Sequence, residues 1–128
     1  MSGKNKVKKP AVIEISLTES EKNAIEKFVE TWDIDMATIV RRLVQALLRG
    51  KVTLPELLQK YRETLTSREI RNKTPELRIH KVKARLSPRE EQELTILANV
   101  AFYRPSELVR ILLRLLIMSI IDPDDIWR

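Results

Sequence analysis

The side chains best suited to chemistry in this chain are basic groups that recur at every second position of one short segment. These are Lys81, Lys83 and Arg85. Ammonium and guanidinium groups at such spacing share one face of a strand, where they can neutralise phosphates. A second basic cluster lies in the first ten residues, at Lys4, Lys6, Lys8 and Lys9. With a formal net charge of +6, this distribution favours a polyanionic partner, although the same charges could serve solubility alone.

The composition offers little for catalysis or for metal binding. The 128 residues include no cysteine and one histidine, His80, which we expect to be an exposed linker residue. We find no paired carboxylates, no nucleophile with a base and no phosphate-binding loop, so we expect no enzyme, no cofactor and no metal site. The basic start lacks a following apolar segment, and Arg110 and Arg114 interrupt the longest apolar stretch. We therefore expect a cytoplasmic protein without a signal peptide or a membrane span.

The first 52 residues predict a strand followed by two helices. Apolar and polar residues alternate over residues 12–17, which is typical of a half-buried strand. Thr18 and Glu21 form a capping box that predicts a helix start, and Asp35 can cap the next helix. Apolar residues recur at helical spacing in both helices, and Gly50 suits the end of the second.

The same plan returns 69 positions later without a gap. Residues 81–86 alternate, Ser87 and Glu90 form a second capping box, and Pro105 starts the next helix. One strand and two helices contain too few residues to bury a hydrophobic core on their own. We therefore expect the two units to share a single core. The resulting division is a flexible basic arm (1–10), unit 1 (11–52), a linker with an amphipathic helix near 54–65 (53–80) and unit 2 (81–128).

Each unit resembles a ribbon-helix-helix module, the DNA-binding fold of the Arc and MetJ type. The resemblance rests on Ser87-Pro88-Arg89-Glu90 and residues 104–110 in unit 2, and on the pattern of residues 12–50 in unit 1. It implies a mainly α fold with a short two-stranded antiparallel ribbon, in which tandem units share a core. It also implies a prokaryotic, nucleoid-associated protein that binds double-stranded DNA sequence-specifically through the major groove, as a transcriptional repressor does.

The resemblance further implies which side chains would contact DNA. The outward ribbon positions are Val12, Glu14 and Ser16 in unit 1, and Lys81, Lys83 and Arg85 in unit 2. Lysine and arginine can donate to guanine O6 and N7, whereas Val12 offers only apolar contact. Glu14 could accept from cytosine N4 or could instead pair with Lys83 across the ribbon. The lysines of the arm would contact phosphates or would form a solubilising tail.

Two further positions differ from what the family leads us to expect. The second helix of the module holds a phosphate at its N-terminus, a role that suits Arg104 and Ser106 but not the acidic Asp35. The turn between the helices usually contains glycine, where this chain has Asp33 and Phe102. Aspartate tolerates positive φ better than phenylalanine does, so the turn of unit 2 is the less certain one. Arg41 and Arg110, which occupy matched positions, are expected to be structural and to bond either near the helix or to a neighbouring acid.

The ribbon could form within one chain or between two chains. If the strand centres align, pairing within the chain places Glu14 opposite Lys83, whereas pairing between chains places like charges opposite each other. This favours a single-chain pseudo-dimer. Unit 2 also has an extra apolar row, Ile111, Leu115 and Met118, which needs a cover. The 54–65 helix, the C-terminal Ile126-Trp127 or self-association with a second copy would each supply one.

Two other functions remain open at this stage. The first keeps DNA binding but assigns it to plasmid partition, to a relaxosome accessory protein or to an antitoxin. The second is a protein–protein adaptor that has kept the fold without binding DNA. The acidic residues of unit 1 and the apolar row of unit 2 favour the adaptor, whereas the basic second strand favours a DNA-binding protein.

Overall fold

The computed structural model describes residues 11–50, 52–65 and 77–127. This part of the chain contains two strands and six helices, in which a strand and three helices are followed by a second strand and three helices. The elements are β1 (Ala11–Leu17), α1 (Glu19–Trp32), α2 (Met36–Leu48), α3 (Leu54–Leu65), β2 (His80–Leu86), α4 (Pro88–Val100), α5 (Pro105–Ile117) and α6 (Pro123–Trp127). The expected fold class, mainly α with a short antiparallel ribbon, is confirmed. The arm residues Lys4, Lys6, Lys8 and Lys9 lie outside the described residues.

Capping boxes set the start of the first helix in each unit, as the sequence predicted. The amide of Glu21 donates to the Thr18 hydroxyl at 3.2 Å, and the amide of Thr18 donates to Glu21 Oε1 at 2.9 Å. Ser87 and Glu90 repeat both bonds at 3.0 and 2.9 Å before α4. Each box satisfies two backbone amides that the helix itself cannot pair, so the strand passes directly into the helix.

The two strands form one antiparallel ribbon within the chain. Glu14 lies opposite Lys83 at its centre, and the register runs from Ala11 opposite Leu86 to Leu17 opposite His80. The inner face is apolar and closes the helical core; its buried residues are Ile13, Ile15, Leu17, Ala84 and Leu86. Because side chains alternate along a strand, the residues between these positions lie on the opposite, outer face. His80, at the start of β2, follows the alternation of the inner face. His80 belongs to β2 and is not the linker residue we expected.

The helices of each unit pack on the elements of the other unit. α2 contacts β2 and α4, while α5 contacts β1 and α1. The side chains that these contacts bury form one continuous cluster that draws on both units. Burying a leucine or isoleucine side chain contributes roughly 1.5–3 kcal/mol. Because the buried residues of both units belong to one cluster, the expectation of a shared core is confirmed.

The third helix of each half crosses onto the opposite unit as well. α3 contacts α5, and α6 contacts α2. Ile111 and Leu115 are buried, whereas Met118 is only partly buried against the cluster. The apolar row of unit 2 is thus covered within the chain, and these two residues offer no exposed surface to a second copy. Among the described residues, no helix is both long enough and apolar enough to cross a membrane.

Left-handed backbone conformations fall at two pairs of matched positions. Asp33 and Phe102 have φ values of 54° and 63° in the turns before the second helices. Gly50 and Ser119 have 74° and 60° after those helices. The turn of unit 2 therefore has a positive φ at the same position as the turn of unit 1, even though phenylalanine is unfavourable in this region. Phe102 is 95% exposed, so its ring gains almost no packing in return.

Candidate nucleic-acid interface

The outer face of the ribbon carries three facing pairs of side chains, and each pair contains one basic residue of β2. Across the two strands these are Val12 with Arg85, Glu14 with Lys83, and Ser16 with Lys81. All are exposed except Ser16, which is half-buried. The register therefore brings together all six ribbon residues that the sequence singled out, on one surface backed by the packed core. Three cations and one carboxylate give this face a positive balance.

Glu14 occupies the middle of the outer face and contacts two lysines. Its Oε1 lies 3.6 Å from Lys81 Nζ, and its Oε2 lies 3.8 Å from Lys83 Nζ. The three side chains are 41–69% exposed, so each ion pair contributes at most about 1 kcal/mol to stability. This geometry is compatible with both alternatives for Glu14, pairing with Lys83 and accepting from cytosine N4. A carboxylate that contacts lysines still has lone pairs for a further donor.

The N-termini of the two second helices differ in how they are capped. Asp35 caps α2, and its Oδ1 accepts from the amide of Thr38 at 2.8 Å. Hydrogen bonds from the side chain and the backbone of Thr38 hold the pKa of Asp35 below its usual value. Arg104 precedes α5 in an extended conformation and makes no capping bond with its side chain. The start of α5 therefore lacks the anionic cap that occupies the start of α2.

A cavity of about 340 Å³ lies between the ribbon and the start of α5. It is lined by Glu14, Ser16, Arg78, Ser106, Glu107 and Arg110. Arg78 Nη1 lies 2.8 Å from Glu107 Oε1 at the rim. The cavity joins the outer face of β1 to Ser106, one of the two residues expected to hold a phosphate. Arg78 was not identified as a site residue from the sequence, because its segment was assigned to the linker. The only indication of such a role was the basic stretch that precedes β2.

Buried charges below the ribbon connect the two units. Glu21, whose side chain is 5% exposed, accepts from Arg110 Nη2 at 2.9 Å and from Arg114 Nη1 at 2.7 Å. Burial disfavours the charged form of Glu21, but the Thr18 amide and the two guanidinium groups outweigh it and lower the pKa of this carboxyl. The arginine pair fixes α5 against the start of α1.

Glu90, the residue of unit 2 that matches Glu21, is more exposed than Glu21. Glu90 accepts from Gln45 Nε2 at 3.0 Å and lies 3.7 Å from Arg41 Nη2. Burial again opposes ionisation, and the Ser87 amide, Gln45 and Arg41 together lower the pKa of Glu90. Arg41 and Arg110 each pair with an acid, one of the two alternatives that the sequence left open, and in both cases this acid belongs to the other unit. The sequence did not indicate that capping-box glutamates would be those acids.

His80 links the ribbon to unit 1. Its Nε2 contacts the Glu19 carboxylate at the start of α1, and this hydrogen bond and charge lower the pKa of Glu19. The contact turns the ring of His80 towards protein and ties the first residue of β2 to the helix that follows β1.

No family model, no curated protein and no solved structure matches this chain. The most distinctive feature of the outer ribbon face is the alternation of Lys81, Lys83 and Arg85, all of them exposed.

Proposed function

We propose that this chain is a sequence-specific double-stranded DNA-binding protein that acts as a transcriptional repressor, and that one chain supplies a complete ribbon. The ribbon enters the major groove with its outer face towards the bases. The observation that carries the proposal is the set of three basic side chains at alternate positions of β2, all on the face away from the core. Occupying an operator would block transcription without any chemistry by the protein.

The dimensions of the ribbon suit such a groove. Paired strands lie roughly 4.8 Å apart, and the major groove of B-DNA is roughly 12 Å wide, which admits a two-stranded ribbon with its side chains. Lys83 and Arg85 would donate to guanine O6 and N7, and either could contact a phosphate instead. Arg104 and Ser106 would contact the backbone beside β1, because α5 packs against that strand.

The proposal is tested by selecting duplexes from a random-sequence DNA library at near-physiological salt with the full chain. Lys83→Ala is the ribbon variant, and Lys60→Ala, which removes an exposed lysine of α3, is the matched control. We expect one short enriched motif for the wild type and for Lys60→Ala. Lys83→Ala should lose preference at one or two positions and should lower the salt slope by about one unit. Retention without any motif would instead indicate an accessory role in plasmid partition or in a relaxosome.

A second candidate function, a protein–protein adaptor, is favoured by a different surface. Ile96, Val100 and Phe102 are exposed together at the C-terminal end of α4 and in the turn after it. The matched positions of unit 1 are Lys27, Thr31 and Asp33, which are polar. Exposed apolar side chains that one half has and the other lacks suit a protein partner. If no duplex is retained even at low salt, the adaptor becomes the better explanation.

A further inference from the structure

The central carboxylate of the ribbon is the least expected group on a surface proposed to meet DNA. Phosphates flank the major groove on both sides, so a lone carboxylate there would weaken binding. Glu14 is not alone, because each of its oxygens lies within 4 Å of a different lysine. The two lysines offset its charge but leave lone pairs facing outward. Whatever base lies beneath Glu14 must therefore supply a hydrogen-bond donor, or the carboxylate loses water without compensation.

Only two groups in the major groove can supply that donor, cytosine N4 and adenine N6. Adenine places its N7 acceptor beside N6, where it would repel a second carboxylate oxygen, whereas cytosine has no acceptor on that edge. The amide of glutamine or asparagine matches adenine, and a carboxylate matches cytosine. The chemistry of Glu14 thus selects cytosine.

Lys83 supplies the complementary half of the same base pair. In a G·C pair, guanine O6 and cytosine N4 are joined by a hydrogen bond of about 2.9 Å, so an acceptor and a donor sit side by side in the groove. Glu14 and Lys83 face each other across the ribbon, with an acceptor and a donor 3.8 Å apart. We propose that the Glu14–Lys83 pair reads one G·C base pair as a unit, with Glu14 accepting from cytosine N4 and Lys83 donating to guanine O6 and N7. This inference rests on the proposed function, which it deepens by naming the base pair read at the ribbon centre.

The pair also makes the outer face of the ribbon asymmetric. A half-turn about an axis through the ribbon centre, perpendicular to this face, would exchange Glu14 with Lys83. The surface therefore distinguishes a G·C pair from a C·G pair. The flanking pairs are unequal too, since the same half-turn exchanges Val12 with Lys81 and Ser16 with Arg85. The protein therefore binds in one orientation on a site that lacks internal twofold symmetry.

The test compares the motifs selected by the full wild-type chain and by Glu14→Gln. The control is Glu26→Gln, which removes an equally exposed glutamate that lies 3.5 Å from Lys22 on α1, away from the ribbon. We expect a central G·C pair in one fixed orientation for the wild type and for Glu26→Gln. Glu14→Gln should change the preferred base from cytosine towards adenine, because an amide can both donate and accept. The preference of Glu14→Gln for cytosine should fall roughly tenfold.

A second measurement addresses the hydrogen bond itself. On the selected duplex, the central cytosine is replaced by 2-pyrimidinone, which lacks the N4 amino group. Wild-type affinity should fall about tenfold, and the affinity of Glu14→Ala should change less than twofold, so the two changes are coupled. Equal losses in both proteins, or a central preference that Glu14→Gln leaves unchanged, would overturn the inference while the enriched motif still supported DNA binding. If the wild type enriches no motif, the proposed function fails first.

Discussion

The ion pairs between the two units allow a prediction that uses the chain as its own control. Glu21→Gln and Glu90→Gln remove one negative charge at matched positions, and glutamine preserves both capping boxes. Glu21 is almost fully buried and contacts Arg110 and Arg114, so its loss leaves two partly buried cations without a counter-charge. Breaking a fully buried pair costs about 3–5 kcal/mol, and since the arginines are 15% and 26% exposed we expect about 2–3 kcal/mol here.

Glu90→Gln should be much milder. Arg41 is 51% exposed and 3.7 Å away, and a surface pair of this kind is worth about 0–1 kcal/mol. The assay is urea unfolding at pH 7 followed by circular dichroism, where 2–3 kcal/mol should lower the midpoint by about 1–2 M. Equal losses in the two variants, or a loss below about 1 kcal/mol for Glu21→Gln, would refute the view that Glu21 holds the units together.

Three further predictions concern separate features of the fold. Because the pKa of Glu21 is lowered on folding, its charge stabilises the protein above the usual value of 4.5, and this stability is lost as the pH falls through the lowered pKa. The difference in unfolding free energy between the wild type and Glu21→Gln, from urea titrations between pH 7 and 3, should therefore shrink below about pH 4.5. Phe102→Gly should raise the unfolding free energy by about 0.5–1 kcal/mol, because glycine accepts positive φ and the exposed ring gains no packing. Asp33→Gly should raise the unfolding free energy by less than that. A drop in thermal midpoint for Phe102→Gly would contradict this. Leu115→Ala should cost about 2–5 kcal/mol in chemical unfolding, since that side chain is fully buried; a cost under 1 kcal/mol would mean that nothing covers it.

The elements that the sequence predicted well are those specified by local patterns. Alternation and capping boxes fixed β1 and the starts of α1 and α4, and the register followed from aligning the strand centres, so that Glu14 faces Lys83 as expected. Apolar spacing predicted the helix at Leu54–Leu65. These features depend on residues a few positions apart, or on a single choice of pairing, and a period of two or 3.6 encodes them directly.

The features that could not be predicted from the sequence depend on contacts between distant positions. Glu21 was recognised as a capping residue, but nothing near it indicates that Arg110 and Arg114 reach it from the other unit. The contact of Arg78 with Glu107 was missed for the same reason. The conformation of Phe102 was not predicted for another reason: the fold imposes a positive φ at this turn position, as at the matched Asp33, against the preference of a phenylalanine. The contacts of the outer ribbon face with DNA remain a prediction.

The pairing of β1 with β2 inside one chain determines how formation of the ribbon depends on protein concentration. A ribbon built from two chains falls apart on dilution, since its assembly is bimolecular, whereas this one forms in a unimolecular step at any concentration. If one chain binds one DNA site as proposed, occupancy of that site should rise in proportion to the amount of protein rather than with its square. The tether also lets each strand change separately: a substitution at Glu14 appears once in the ribbon, whereas in a symmetric assembly every change appears twice.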